Sequence, residues 1–458
     1  MITFKKNELL TGTVTGLTHE GLGVVKIDNF PFFVENALPT EQIEIRVMKL
    51  KRNYGFARVE RFITKSEHRV EDLNMDFLRT GIADLGHLEY AEQLKFKQEQ
   101  VKTVLSKNAG LTDFAVLETL EAPEILHYRN KAQIPVRLVK NQLETGFFRK
   151  NSHDLIAIED FYIQHEEIDQ LIVAVRDLLR ENAVKPYDEH DKSGWIRNLV
   201  IRRGYHTGEL MLVFVVTSEK LPSNFDEILS NLTERFPNLK SVLLNINKST
   251  GNAIFGKDSK LLHGQNFITD KMFDVSYQIS AQSFYQVNTA QAERLYQVAY
   301  DFAELTKNDT IIDAYAGIGT IGLSIADKVK QIYGMEIVES AVENAQNNAK
   351  LNHIENAHYE VGTAEEILPK WRENDVKADV IFVDPPRKGL DESFILTATK
   401  MNARKIVYVS CNPASFARDV KIFQENGYEL TKVQPVDLFP QTHHVEVVGL
   451  LTTKTPQA

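Results

Sequence analysis

The chain has 458 residues, 43% hydrophobic and 25% charged, with a formal net charge of −10. That length exceeds one ordinary core and implies two or three domains, and the composition is that of a globular protein. No apolar run reaches the ~20 residues of a membrane helix, the N-terminal MITFKKNELLTG lacks the order of a signal peptide, and the single cysteine excludes an intrachain disulfide framework and a thiolate zinc site.

Residues 1–62 alternate apolar and polar side chains in TGTVTGLT, GVVKI, FPFFV, EQIEIRVMKLK and YGFARVERFI, punctuated by GLG, DN and LPTE. Five short strands with such turns predict a small β-barrel of the OB type. Residues 91–107 read as a helix, with Leu94, Val101 and Leu105 near one face. Up to residue 279, strand-like AQIPVRLV, LMLVFVV and SVLLNIN mix with helix-like EEIDQLIVAVRDLLREN and FDEILSNLTERF, which predicts a mixed α/β middle domain over 63–279.

From residue 280 the order becomes regular. The helix NTAQAERLYQVAYDFAEL precedes strand TIIDAY, helix IGLSIAD, strand QIYGMEIV, helix ESAVENAQNNAKLN, strands HYEVG, VIFVD and KIVYVS, and helix ASFARDVKIFQENG. Alternating strands and helices predict a doubly wound, Rossmann-like α/β domain over 280–458. Ligands in such sheets bind beyond the carboxyl ends of the strands.

Charge is unevenly spread. Residues 46–69 carry Arg46, Lys49, Lys51, Arg52, Arg58, Arg61, Lys65 and Arg69 against Glu60 and Glu67. Residues 129–150 carry Arg129, Lys131, Arg137, Lys140, Arg149 and Lys150 against Glu144. Each run fits a solvated face. Two in an acidic chain also fit a polyanion partner.

The strand ends carry the chemistry. DAYAGIGTIG holds Gly317, Gly319 and Gly322 in a G-x-G-x-x-G pattern, and Glu336 ends the next strand, 17 residues beyond Gly319. Glycines admit a ligand close to the backbone, and an acid at that distance binds ribose hydroxyls. This fits a nicotinamide dinucleotide and S-adenosylmethionine alike. The strand ending in VDPPRKGLD favours the latter: two prolines make a stiff shelf, suited to a flipped base held against a methyl donor, with Asp384 orienting ligand groups. Cys411, the only cysteine, ends the following strand just before a helix, whose dipole is expected to lower its pKa. A thiolate adding to carbon 6 of a uracil activates carbon 5 toward a methyl donor, and a base must then remove the carbon 5 proton. Glu446 in FPQTHHVEVVGLL is the candidate, with His443 and His444 as rivals. A buried small hydrophobe and a surface glutamate are the bland readings of Cys411 and Glu446.

Together these residues resemble the bacterial RNA uracil-5-methyltransferases, most closely the 23S rRNA branch with an N-terminal TRAM domain. The resemblance spans nearly the whole chain through SFYQVN at 283–288, DAYAGIGTIGL at 313–323, GMEIV at 334–338, DPPRKGL at 384–390, SCNP at 410–413 and HVEVV at 444–448. It implies Cys411 as nucleophile, Glu446 as base, and Gln286, Tyr315, Glu336 and Asp384 as contacts to S-adenosylmethionine. It implies an RNA-binding TRAM barrel with Lys51 and Arg52, RNA contacts from Arg129 and Lys131 in RNKAQIPV, and a helix 91–107 that packs on the catalytic domain. Many relatives hold an iron–sulfur cluster with four cysteines. Here Asn74, Thr80, Ala83 and Phe161 stand at those positions, so no cluster is expected. The expected partner is RNA, most closely 23S rRNA, with tRNA as the alternative. No metal site, DNA partner or membrane is expected, and a cytoplasmic monomer is the default. RNA cytosine-5 enzymes typically carry Pro-Cys where this chain has Pro386-Arg387.

Overall fold

A computed structural model describes residues 4–454. Strands Leu9–Leu17, Gly23–Ile27, Phe30–Glu35, Gln42–Leu50 and Gly55–Thr64 close into a barrel. Their alternation turns Val14, Val25, Phe32, Val34, Ile43, Ile45 and Val47 into one buried cluster. The second and third strands are joined by Asp28 and Asn29, with φ of 50° and 65°. Two left-handed residues match the twist of a hairpin, and Asp and Asn tolerate them well. The third strand runs parallel to the fifth, which closes the barrel.

The middle of the chain forms a seven-stranded mixed sheet. Its strand Leu210–Val216 is buried at every residue. The amphipathic helices Glu166–Glu181 and Phe225–Arg235 bury Ile168, Leu171, Ile172, Val175, Ile228 and Leu232 in the same cluster as sheet residues Leu199, Leu212 and Phe214. The four positions at which the resemblance would place cluster cysteines hold no sulfur. Phe161 is fully buried with its ring 5.4 Å from that of Phe147, Ala83 is buried, and Asn74 caps a short helix. These residues do not fit an iron–sulfur cluster.

The C-terminal sheet has seven strands: β1 (Thr310–Ala314), β2 (Gln331–Glu336), β3 (Ala357–Val361), β4 (Val380–Val383), β5 (Lys405–Ser410), β6 (Tyr428–Val436) and β7 (Glu446–Thr453). The order is β3-β2-β1-β4-β5-β7-β6. The first five in the chain are parallel, as the alternating pattern predicts. β7 differs: it inserts antiparallel between β5 and β6. Strand order reverses at β1 and β4, which opens the crevice where ligands bind in such sheets.

The helix expected at 91–107 spans Tyr90–Val104 and continues as a wider turn over Leu105–Ala109. Val101 and Leu105 share a buried cluster with Phe416 and Val420 of the helix Pro413–Glu425. The segment that follows bonds to β6, with Leu117 N donating to Val433 O at 3.1 Å and Leu120 N to Pro435 O at 2.9 Å. This early segment therefore packs on the C-terminal domain. Its anchor is a fully buried ion pair: Lys97 Nζ lies 2.5 Å from Asp437 Oδ1 and 3.1 Å from Phe439 O. Removing one member strands the other charge in the core. Lys97→Met should destabilise the fold by about 3–5 kcal/mol, read from denaturant unfolding, and adding Asp437→Leu should recover most of that loss.

Candidate active site

The register of β5 and β7 builds the centre of the site. Val409 pairs with Val448 and Ser410 with Val447. Cys411 follows directly after β5 and Glu446 opens β7, and the two side chains are close enough for the Glu446 carboxyl to act on the thiol. Asp384 follows β4, whose Val383 pairs with Tyr408 of β5. Tyr315 follows β1 beside it, with φ of 64°. Glu336 ends β2 next to β1. The strand-end residues singled out in the sequence thus line one edge of one sheet.

The electrostatics of that edge are unusual. Glu446 is only 5% exposed, and burial reinforced by Asp384 pushes its carboxyl up to about 8. Burial also raises Asp384, to about 7. Burial, then Glu446 and Asp384, push the Cys411 thiol up to about 11. This corrects the expectation of a depressed thiol. Cys411 lies ahead of the helix Pro413–Glu425, whose cap is Asn412, and the Asn412 side chain takes the Ala414 N–H at 3.1 Å. Low-dielectric burial beside two carboxyls outweighs a helix dipole that falls off within one turn. Arg387 opposes the rise for both Cys411 and Glu446.

The rival bases differ. His443 Nδ1 is 2.7 Å from Asp84 Oδ2. Burial, with His443 and Arg387, pushes His444 down to about 4. A base near 4 is a weak proton acceptor, whereas a carboxylate near 8 is better matched to neutral pH.

The loop carrying Asp384 and Arg387 is tied to the loop carrying Cys411. Asn412 Nδ2 and Ser415 Oγ donate to Arg387 O at 2.9 and 3.2 Å. Buried Asp419 accepts from Tyr408 Oη at 2.6 Å and Leu390 N at 2.8 Å. Gly389, at φ 79°, makes the turn that brings this loop back, and a Cβ there would lie 2.5 Å from Asp419 Oδ2.

On the other side of the crevice, Glu336 accepts from Gly317 N at 3.2 Å and Val338 N at 3.0 Å. A Cβ on Gly317 would meet nothing within 4 Å, so the backbone faces open space, while Gly319 at φ 84° starts the short helix Thr320–Leu323. Ile337 and Val338 are 66% and 49% exposed beside the acid. A carboxylate for hydroxyls, apolar side chains for a flat ring and an open glycine backbone fit an adenosine-bearing cofactor. Gln286 is buried, with Nε2 3.3 Å from Tyr296 Oη, and Tyr296 in turn feels the charge of Asp384.

Several residues escaped the sequence reading. Asp313 is fully buried at the end of β1, accepts from Gly322 N at 2.9 Å and leaves Oδ1 without a partner. It stands in the quoted glycine-loop motif but carries no spacing signal of its own. Phe284, in SFYQVN, is 69% exposed. On the barrel, Phe33, Tyr54 and Phe56 form a half-buried aromatic group with centroids 5.4–6.0 Å apart. Alternation alone assigns such residues to a strand face.

The basic runs are less basic than they read. Arg46 and Arg58 meet Glu60, Arg61 meets Glu44, Lys65 meets Glu71, and buried Arg69 meets Glu41. Lys49, Lys51 and Arg52 form no ion pair among the described residues, and Lys51 and Arg52 are exposed at the turn beside Tyr54. In the second run Arg137 pairs with Glu189 and Lys150 with Glu35. Arg129 sits over the Phe439 ring at 5.9 Å. Half-buried Lys131 is pushed down to about 7 by burial, Arg202 and Arg129.

The class follows from the sheet order and its strand-end crevice: a methyltransferase-type α/β domain behind an OB-like barrel. The model of the tRNA (Uracil-5-)-methyltransferase family matches residues 89–455, and that of the TRAM domain matches residues 6–59. The chain is 60% identical over 454 residues to an RNA methyltransferase, YljE, of Lactococcus lactis, covering 99% of both chains. It is 56% identical over 447 residues to an RNA methyltransferase of Streptococcus mutans, covering 98% of this chain and 99% of that one. A solved structure of the Pyrococcus abyssi tRNA (uracil-54, C5)-methyltransferase with S-adenosyl-L-homocysteine superposes with a TM-score of 0.79 at 27% identity, covering 96% of this chain and 99% of that chain. The chain belongs to the uracil-5-methyltransferase family and carries a TRAM domain; it is an S-adenosylmethionine-dependent RNA methyltransferase.

Among the described residues, Arg387 is the cation that opposes the rise at both Cys411 and Glu446. Arg387→Ala should move the pH midpoint of iodoacetamide alkylation at Cys411 upward, because the cation that holds the thiol down is removed. With one cysteine in the chain, S-alkylation read on the Cys411 peptide reports that thiol alone. An unmoved midpoint would show that Arg387 does not face it.

Proposed function

We propose that this enzyme methylates carbon 5 of uridine in 23S rRNA, with Cys411 as nucleophile and Glu446 as base. The observation that supports the reading is the β5–β7 register, which brings the end of β5, followed by Cys411, to the start of β7, where Glu446 is buried. The Cys411 thiol gives up its proton to solvent, its Sγ forms a bond to carbon 6, and the electrons of the 5,6 double bond move into the ring carbonyl as an enolate. S-adenosylmethionine, when bound, would supply a methyl group on a cationic sulfur: as carbon 5 takes it the sulfur–methyl bond would break, leaving the neutral thioether S-adenosylhomocysteine. Glu446 then accepts the carbon 5 proton, the double bond re-forms, and the thiolate leaves. Asp384 and Gln286 position the ring and donor, and exposed Phe284 offers a face for the flipped base. Glu336, Tyr315, Gly317 and Gly319 hold the adenosine part.

RNA is held elsewhere too. Lys51 and Arg52 supply unpaired positive charge next to the Phe33, Tyr54 and Phe56 rings, a combination suited to phosphates and stacked bases. Arg129 and Lys131 form a second contact. No helix among the described residues is long and apolar enough to cross a membrane, and a cytoplasmic enzyme is proposed.

Methylation of tRNA is the second reading. The tRNA enzyme of Pyrococcus abyssi aligns over 96% of this chain. That span takes in most of the barrel, so a barrel alone does not favour rRNA.

A covalent trap tests both. The protein, S-adenosylmethionine and 23S rRNA fragments or tRNA carrying 5-fluorouridine are mixed and run on denaturing gels. Fluorine cannot leave as a proton, so a methylated adduct should accumulate on the Cys411 peptide with an rRNA fragment and vanish in Cys411→Ala. An adduct with tRNA alone would move the substrate to tRNA. With ordinary uridine, Glu446→Gln should accumulate the same adduct, because elimination stalls.

RNA affinity should also depend on pH. Burial, with Arg202 and Arg129, pushes Lys131 down to about 7, and a phosphate partner favours the ammonium form. Binding then takes up a proton, so affinity should fall as pH rises from about 6 to about 8.5. Lys131→Met should flatten that slope, and Lys51→Ala with Arg52→Ala should reduce the salt slope by about 2.

A further inference from the structure

A second group of ligand-capable side chains lies in the middle domain. His127, Asp160 and Asp169 each offer an atom, and these atoms lie within 4.8 Å of one another. They come from three segments: the chain leading into strand Lys131–Val139, the turn after strand Leu155–Ala157, and the first turns of helix Glu166–Glu181.

Each side chain is fixed by one backbone bond and keeps one atom over. His127 Nδ1 lies 3.0 Å from Gln164 O. A carbonyl only accepts, so Nδ1 carries the proton and Nε2 keeps its lone pair, the arrangement found in metal-binding histidines. Asp160 Oδ1 accepts from Tyr162 N at 2.8 Å, which leaves Oδ2. Asp169 Oδ2 accepts from Phe161 N at 3.0 Å. Its Oδ1 is buried with no partner, in a residue only 7% exposed. Buried polar atoms are nearly always satisfied, and an ion at this oxygen would satisfy it.

We propose that His127, Asp160 and Asp169 bind one divalent first-row metal ion, of the zinc or manganese kind. One imidazole and two carboxylates suit such ions, and the imidazole disfavours magnesium and calcium. Exposed Asp160 leaves one side of the ion open to water. The ion would clamp the strand-like segment around Arg129, where Arg129 N already donates to Ile163 O and His165 N to Arg129 O. It would therefore stiffen the segment that presents Arg129 and Lys131.

The test uses the full chain, stripped with EDTA and titrated by calorimetry with ZnCl2 and, separately, MnCl2. One equivalent of at least one ion should bind and raise the thermal midpoint. His127→Gln, Asp160→Asn and Asp169→Asn should each weaken binding at least tenfold. Asp160 is exposed, and the amide oxygen introduced by Asp169→Asn would still accept the Phe161 N–H, so both variants should keep the midpoint of the stripped protein. Cys411→Ala should bind as the wild type does. No uptake of either ion, uptake unweakened by Asp160→Asn and Asp169→Asn, or uptake lost in Cys411→Ala would each overturn the proposal.

Discussion

The antiparallel insertion of β7 between β5 and β6 is the constraint on which the site depends. In a fully parallel sheet every strand presents its end, never its start, to the ligand edge. β7 runs the other way, so its start arrives beside the end of β5, with Val447 paired to Ser410. That places the Glu446 carboxyl against the Cys411 thiol with 34 residues of chain between them. A slip of one residue in this pairing would turn Glu446 to the other face of the sheet. The register is held by apolar packing: Val447, Val448 and Leu451 of β7 are buried, as are Ile406, Val407 and Tyr408 of β5.

This arrangement crowds acids into a space with little water. Glu446, Asp384 and Asp313 are all pushed up by burial, and the thiol with them. Acids held partly protonated near neutral pH mark a site organised for proton movement at some cost in stability. Arg387 is the counterweight, and the bonds from Asn412 and Ser415 to its carbonyl fix the loop that presents it. The catalytic loop and the proline loop thus form one unit, cross-braced by Asp419.

The RNA-facing surface follows a different logic. The barrel's arginines mostly brace its own strands through Glu60 and Glu44, while the turn residues Lys51 and Arg52 remain available. A count of basic residues therefore overstates the charge offered to a phosphate backbone. What remains is local: a turn with two cations beside three aromatic rings.

The sequence by itself determined much. Alternation with a DN turn predicted the barrel, because period two and left-handed turn residues are local properties. Strand–helix alternation predicted the α/β domain, and G-x-G-x-x-G, DPPR and the lone cysteine marked the strand ends that line its crevice. All of these are written in a few adjacent residues. The tertiary structure decided the rest. Whether Cys411 is acidic depended on burial and two distant carboxyls, not on the helix that follows it. Which arginines are free depended on cross-strand pairing. The partnership of Lys97 with Asp437, and of His127 with Asp160 and Asp169, joins residues whose spacing follows no helical or strand period. Contacts of that kind are set by how sheets and helices stack, and no short stretch of sequence contains them.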